Sequence, residues 1–184
     1  MESNVPKQLV LTIGLPSCGK STMSRRMRRE GDALFEFDEF FYTQVGDNPK
    51  SYDWAASRMD EAREWNLNRI IAAIDEGVPR VIVDSDNQAH SYTRSYVCHA
   101  VDRGYEVVFQ EPDTPWWREI SKLLRDKQAN AERLERWAEK LSVMSRGTHR
   151  VGVGTFRRRI KRWLPDITVE DILAAVPARE TVNS

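Results

Sequence analysis

The sequence predicts an α/β protein in which helices flank a parallel β-sheet, and three observations support this prediction. Short apolar runs alternate with segments of helical periodicity, as in strands joined by right-handed crossovers. A glycine-rich GxxxxGKS motif separates the first apolar run from the first helical segment. The 184 residues suffice for one hydrophobic core and are too few for two of ordinary size.

Four short apolar runs predict the strands of this sheet. The first run ends at Gly14 and the third lies between Pro79 and Asp84, so residues that favour turns or strand ends bound them. The predicted strands are Gln8–Ile13, Ala33–Phe37, Arg80–Val83 and Tyr105–Phe109.

Helical patterns account for most of the remaining chain. The stretch from 116 to 144 is charged and has no helix-breaking residue, so we predict one long helix there. Thr168 and Asp171 have the spacing of a capping box at the start of the last segment. The predicted helices are Lys20–Arg29, Tyr52–Glu76, Ser91–Arg103, Trp116–Met144, Thr155–Trp163 and Thr168–Ala174.

The composition is that of a globular protein and excludes several other classes. Apolar residues make up 40% and charged residues 30%, which excludes a disordered chain. No run approaches the roughly 18 apolar residues of a membrane span, and the first residues lack a signal peptide. We therefore expect a cytoplasmic protein without membrane contact. Cys18 and Cys98 lack the clustering of a zinc site, and we expect two reduced thiols.

Charge is balanced overall but segregated along the chain. There are 28 basic and 28 acidic residues, yet residues 31–62 carry eight acids against two bases, and residues 145–165 carry seven bases and no acid. The basic segment is either a solvated helix face, a lid that closes over phosphates, or a surface that follows a nucleic-acid backbone.

The GxxxxGKS motif predicts a nucleotide site that uses ATP and Mg²⁺. Its glycines let the backbone wrap around an anion, Lys20 reaches the β and γ phosphates, and the Ser21 hydroxyl is offered to Mg²⁺. The predicted nucleotide-binding residues are Gly14, Pro16, Ser17, Cys18, Gly19, Lys20, Ser21 and Thr22. Cys18 is either an oxidation-sensitive thiol beside the nucleotide or an inert small residue.

Two predicted strands end in an aspartate, Asp38 and Asp84. The carboxyl ends of parallel strands form the binding edge of an α/β sheet, so both carboxylates are expected there. Phosphoryl transfer uses one carboxylate to help hold Mg²⁺ and another to accept the proton of the attacking hydroxyl. The residues alone do not decide between these roles, and either aspartate is otherwise a helix cap or turn former.

Asn66 is a further candidate, because it interrupts the apolar stripe of its predicted helix. It is either a buried amide bonded to the backbone or a contact to an acceptor substrate.

The ordered set of motifs resembles P-loop polynucleotide kinases of the phage 5′-hydroxyl kinase type, over about residues 8–164. The segments that carry the resemblance are Leu11–Thr22, Phe37–Phe41, Val83–Asn87, Gly104–Val107, Pro112–Trp116 and Arg146–His149. The resemblance implies a P-loop kinase-like fold of one domain, residues 1–184, with a helical insertion and basic lid over about 116–150. The remainder, 178–184, is expected to be a flexible tail.

The resemblance also implies roles for individual residues. Asp38 would activate the acceptor hydroxyl. Asp84 would act in the site by helping Ser21 to hold the metal. Arg146 or Arg150 would stabilise the charge on the phosphoryl group that is transferred. The chain departs from the pattern at Phe41, where the family has an arginine that grips an acceptor phosphate, and in the insertion over residues 119–143.

The function predicted from the sequence is transfer of the γ-phosphoryl group of ATP to a hydroxyl on nucleic acid, with a 5′-OH end as first choice. One alternative acceptor is a hydroxymethylated base, a nucleoside or a small metabolite, on which Phe40, Phe41 or Trp54 would stack. A second alternative is an ATP-binding switch module without transfer. DNA or RNA preference and oligomeric state stay open.

Overall fold

Helices flank a four-stranded parallel sheet in the computed structural model, which describes residues 6–43 and 51–176. This confirms the predicted fold class. In the described residues the strands are β1 (Gln8–Thr12), β2 (Ala33–Glu36), β3 (Tyr42–Thr43), β4 (Ser51–Tyr52), β5 (Arg80–Asp84) and β6 (Glu106–Gln110). The main sheet has the order β2-β5-β1-β6, and β3 and β4 form a separate antiparallel pair.

Seven α-helices lie in the described ranges. They are α1 (Lys20–Met27), α2 (Met59–Asp75), α3 (Ser91–Asp102), α4 (Pro115–Leu124), α5 (Ala131–Met144), α6 (Val153–Arg162) and α7 (Val169–Leu173). The predicted capping box at Thr168 and Asp171 is present at the start of α7. In the part of the chain that the structure describes, no helix is both long and apolar enough to cross a membrane.

The two faces of the sheet are covered by different helices. Right-handed crossovers place α1 on one face and place α2 and α3, which pack together, on the other. Leu9 and Leu11 point from β1 into the main hydrophobic core, which also contains α2, α3 and the later helices. The Thr12 side chain has the opposite orientation and lies on the α1 side of the sheet, where it bonds to Asp84 together with Ser24 of α1.

The carboxyl ends of three strands meet at one edge of the sheet. Leu11 of β1 is in register with Val83 of β5, and Glu36 of β2 is in register with Asp84. Because neighbouring strands lie about 4.8 Å apart, the ends of β1 and β2 are separated by about 10 Å, with β5 between them. The segments that follow these strands therefore face each other across Asp84.

The long helix predicted over Trp116–Met144 is wrong, because the chain forms the hairpin of α4 and α5 instead. Between them, Asp126 accepts a hydrogen bond from the Ala129 amide (3.0 Å), and the Asn130 side chain donates to the Asp126 carbonyl (2.8 Å). These side-chain bonds stabilise the turn, in which the amides of Arg125 and Asp126 form i→i−3 instead of i→i−4 backbone bonds. The hairpin then buries Leu124 and Leu134, which a straight helix would leave apart.

Two further predicted helices have different starts in the structure. Tyr52 belongs to β4, and α2 begins only at Met59 after a short 3₁₀ turn. α6 begins at Val153, inside the stretch expected to break the chain, because Gly154 is tolerated in a first turn. The predicted flexible tail, 178–184, lies outside the described residues.

Candidate active site

The GxxxxGKS loop joins β1 to α1 with a sharply turned backbone. The φ angles of Gly14, Ser17 and Gly19 are 156°, 62° and 96°, all in the left-handed half of the map that favours glycine. Left-handed residues alternating with ordinary ones form anion-binding concavities of backbone amides. α1 starts directly afterwards at Lys20, so its N-terminus opens onto the same loop.

The segment between β6 and α4 supports this loop from behind. The Thr114 hydroxyl donates to the Cys18 carbonyl (3.0 Å), and the Trp116 indole donates to the Ser17 carbonyl (3.2 Å). A Cβ on Gly19 would lie 2.8 Å from Cγ2 of Thr114. The loop thus has a fixed shape that disfavours any residue but glycine at this position.

The charged and polar groups of the motif lie along the opening of the loop. Lys20 Nζ donates to the carbonyls of Gly14 (2.8 Å) and Leu15 (3.2 Å), so the ammonium lies over the loop. Pro16 and Ser21 are half-buried and Thr22 is exposed.

Cys18 packs inside the loop. It is fully buried, and this burial raises the pKa of its thiol to about 12. A thiol with a raised pKa holds little thiolate, which favours the inert residue over the oxidation-sensitive one. Both Cys18 and Cys98 carry free thiols.

Asp84 is a buried carboxylate held by hydroxyl groups. Only 6% of the residue is exposed. Thr12 Oγ1 donates to Oδ1 and Ser24 Oγ donates to Oδ2, each at 3.2 Å. Within the described ranges Asp84 forms no ion pair, and a buried charge without a cation is costly. Ser21 precedes Ser24 by one helical turn on the same side of α1, so the Ser21 hydroxyl and the Asp84 carboxylate have the chemistry to hold Mg²⁺, directly or through water.

Asn87 braces the ends of the two strands beside Asp84. Its amide donates to the carbonyls of Thr12 (2.8 Å) and Val83 (2.9 Å), and its oxygen accepts from the Tyr96 hydroxyl (2.6 Å). The sequence analysis missed Thr12, Ser24 and Tyr96. The spacing of Ser24 three residues after Ser21 is the signal that was available for one of them.

Asp38 lies in a 3₁₀ helix, Phe37–Phe41, that follows β2. The strand ends at Glu36, one residue earlier than predicted, and the 3₁₀ turn redirects the chain across the sheet edge. The Tyr52 hydroxyl donates to Asp38 Oδ1 (3.0 Å), and His149 Nε2 lies 3.5 Å from Oδ2. Burial and the neighbouring Asp38 charge raise the pKa of Tyr52, so the phenol remains a donor.

The segment that carries Arg146 and Arg150 reaches Asp38 through His149. The buried Ser145 hydroxyl lies 2.8 Å from the carbonyl of Ser142 and 3.0 Å from that of Val151, and its one proton is shared between them, which fixes the base of this turn. Arg146 and Arg150 are exposed, and in the ranges 6–43 and 51–176 neither forms an ion pair. Tyr52 and His149 are site residues that no sequence pattern indicated, although His149 ends the segment Arg146–His149 of the resemblance.

The basic segment over residues 145–165 is not one continuous cationic surface. Arg157 pairs with Glu135 of α5, and Arg159 Nη1 lies 2.8 Å from Asp86 Oδ2. Acids from other elements therefore neutralise part of this charge. In the described residues Arg146 and Arg150 of the turn at 146–150 are exposed and form no ion pair, and the same holds for Arg158, Lys161 and Arg162.

The three aromatic residues predicted to stack on a base differ in their exposure to solvent. Phe41 is fully buried, so the prediction that it stacks on a base is wrong. Phe40 packs against Trp65 (5.6 Å between ring centroids) and lies under Arg58. Trp54 is 52% exposed.

In the sequence analysis Asn66 is either a buried amide or a contact to an acceptor. The structure favours the buried amide, although its partner is a side chain instead of the backbone. Its amide donates to the Tyr92 hydroxyl (2.8 Å), and its oxygen has no partner within the described residues.

Three comparisons relate the chain to known proteins. A family model described as an AAA domain matches residues 9–147. Human NEDD4-binding protein 2 is 32% identical over 112 residues, which is 60% of this chain and 6% of that protein. The chain therefore spans only a small fraction of this curated relative. A chain in the structure of the Pnkp1/Rnl/Hen1 RNA repair complex gives a TM-score of 0.48 at 16% identity, covering 89% of this chain and 48% of that one.

Proposed function

Because the chain belongs to the AAA domain family, whose model matches most of its length, we propose that it is an ATP-dependent phosphotransferase acting on a nucleic-acid hydroxyl, with a 5′-OH end as first candidate. The observation that supports this proposal is the order of the strand ends. The GxxxxGKS loop follows β1, Asp38 follows β2, and Asp84 lies on the strand between them. A phosphate donor and an alcohol bound on either side would meet at Asp84.

In the proposed reaction, the acceptor oxygen forms a bond to the γ phosphorus as the bond from that phosphorus to the β–γ bridging oxygen breaks. Asp38 accepts the proton of the hydroxyl. Lys20 and a lid arginine, Arg146 or Arg150, stabilise the charge on the phosphoryl oxygens. Mg²⁺ held by Ser21 and Asp84 would neutralise phosphate charge.

One observation favours a second class of acceptor. The position where the resembling family has a phosphate-gripping arginine is Phe41, and this side chain is fully buried. A 5′-OH end that carries a 3′ phosphate would lose that contact. A nucleoside, a hydroxymethylated base or a small metabolite would not need it. The second candidate is therefore a kinase for one of these acceptors.

A transfer assay tests the proposal. The protein is incubated with γ-labelled ATP and Mg²⁺ and with 5′-OH DNA and RNA oligonucleotides, duplexes with hydroxymethylated bases, and nucleosides. We expect label on the 5′-OH oligonucleotides. Label on nucleosides or modified bases alone would move the assignment to the second candidate, and ATP binding without any labelled acceptor would support a switch module.

The D38N variant tests the role of the base. We expect transfer to fall by about 10²–10⁴-fold, because general base catalysis contributes that much. ATP binding should be unchanged. D60N is the matched control, since Asp60 is exposed on α2 and pairs with Arg63. Full transfer by D38N would exclude Asp38 as the base.

A further inference from the structure

The carboxylate of Asp38 is held from two sides by residues of two other segments. Tyr52 comes from β4, and His149 comes from the turn that carries Arg146 and Arg150. Their rings also contact each other, with centroids 4.9 Å apart. The three side chains thus form one contact group between the acceptor side of the sheet edge and the lid.

The contact from Tyr52 is rigid. Tyr52 pairs with Tyr42 across the β3–β4 ladder, and the Asp53 amide donates to the Phe41 carbonyl (2.8 Å) at the end of the 3₁₀ helix of Asp38. The phenol and the carboxylate are therefore mounted on directly bonded pieces of backbone. The 3.0 Å bond fixes Oδ1 and so sets the rotation of the carboxylate.

The contact from His149 is looser and falls on the other oxygen. Nε2 lies 3.5 Å from Oδ2, which is longer than the usual range for an N–H to O hydrogen bond. Oδ2 is thus the oxygen of the carboxylate that remains available to an incoming hydroxyl. His149 lies beside it on a turn whose base is fixed by Ser145.

The turn presents its side chains in two directions. His149 faces inward and is half-buried, whereas Arg146 and Arg150 are exposed on either side of it. Arg150 has a φ of 49°, and its amide donates to the Ser145 carbonyl (2.8 Å), so the chain reverses directly after His149. A displacement of this turn would move His149 and both arginines together.

We propose that Tyr52 and His149 are positioning residues for Asp38, a role that rests on the proposed function. Tyr52 fixes the carboxylate so that Oδ2 faces the acceptor hydroxyl. His149 links that carboxylate to the lid, so the base and the lid arginines take their working positions together. Neither residue exchanges the reacting proton, which passes from the acceptor hydroxyl to Oδ2.

The test combines single variants with a double-mutant cycle. We expect Y52F and H149Q each to lower kcat for transfer by about tenfold, with little change in KM for ATP. Y52F removes an oriented hydrogen bond to the Asp38 carboxylate, and H149Q removes the imidazole ring that contacts Oδ2. Y105F and H99Q are the matched controls. Tyr105 bonds to the Ile74 and Val78 carbonyls, and His99 pairs with Asp75, all away from the sheet edge. Both controls should retain wild-type kcat.

The cycle separates positioning from a purely structural role. In a D38N background, measured in single-turnover reactions with γ-labelled ATP, Y52F should cause no further loss, because the residue that it positions no longer acts as a base. H149Q should cause a smaller loss than in the wild type, because only its effect on the arginines of the turn remains. The proposal would be overturned if Y52F and H149Q each lowered the rate in the D38N background by the same factor as in the wild type. It would also be overturned if either single variant kept wild-type kcat. If the wild-type protein transfers no phosphoryl group to any acceptor, the proposed function itself fails.

Discussion

Gly19 offers a quantitative test of the structure of the GxxxxGKS loop. Its φ of 96° lies in the left-handed region, and a Cβ there would be 2.8 Å from Thr114 Cγ2. Thr114 cannot turn away without loss, because its hydroxyl donates to the Cys18 carbonyl and accepts the Trp117 amide as the cap of α4. G19A therefore combines backbone strain with a steric conflict.

The two contributions can be measured separately. A left-handed backbone costs an alanine about 1–2 kcal/mol, and overpacking a rigid neighbour adds about 1–3 kcal/mol. We expect G19A to lower the free energy of unfolding by about 3 kcal/mol. Gly31 has a φ of 85° with nothing within 4 Å of its Cβ position, so G31A should show the backbone cost alone, about 1 kcal/mol. T114S removes Cγ2 and keeps the hydroxyl.

The assay is urea unfolding followed by the fluorescence of the six tryptophans. In the T114S background, G19A should lower the free energy of unfolding by no more than G31A does in the wild type. The coupling energy between G19A and T114S should then be about 1–2 kcal/mol. Equal costs for G19A and G31A in the wild type would refute the steric part of the reasoning. A G19A cost that T114S leaves unchanged would refute the identity of the opposing atom.

Three further predictions concern the loop and the core. K20A should abolish the rise in Tm that ATP and Mg²⁺ produce in the wild type, because the ammonium expected to face the phosphates is lost. An unchanged rise would contradict the prediction that Lys20 binds the phosphates. At pH 8 iodoacetamide should label Cys98 in the folded protein and spare Cys18, because the pKa of the Cys18 thiol is raised to about 12 and its thiolate fraction is small. In urea both cysteines should be labelled, and peptide mass spectrometry identifies the labelled sites. Y92F should lower the free energy of unfolding by about 1–3 kcal/mol, since it leaves the buried Asn66 amide without its partner, and equal urea midpoints would contradict that bond.

The charge segregation of the chain was visible in the sequence, but its consequence was not. Acids of residues 31–62 pair with arginines of other elements, among them Asp32 with Arg80 and Glu39 with Arg69. Arginines of the basic segment pair in the same way with distant acids. Counting charges along a chain cannot reveal these pairs, because they join residues that only folding brings together.

Local signals predicted the elements well where one segment determines its own shape. The strand cores, the start of α1 at Lys20 and the capping box of α7 follow from residues close in sequence. The split between α4 and α5 did not, because Leu124 and Leu134 reach the same hydrophobic core only after the chain reverses. The β3–β4 pair was missed for the same reason, since a two-residue strand has almost no periodicity to detect.

The sequence by itself determined the shape of the GxxxxGKS loop, because two glycines and the residues between them contain nearly all of its backbone geometry. It also predicted that Asp38 and Asp84 would share one edge of the sheet, which follows from parallel strands. Only the tertiary structure decided what surrounds each carboxylate. Hydroxyls of Thr12 and Ser24 hold Asp84, and Tyr52 and His149 hold Asp38. Such contacts join distant segments, and no short-range pattern encodes them, because packing alone sets which side chains meet.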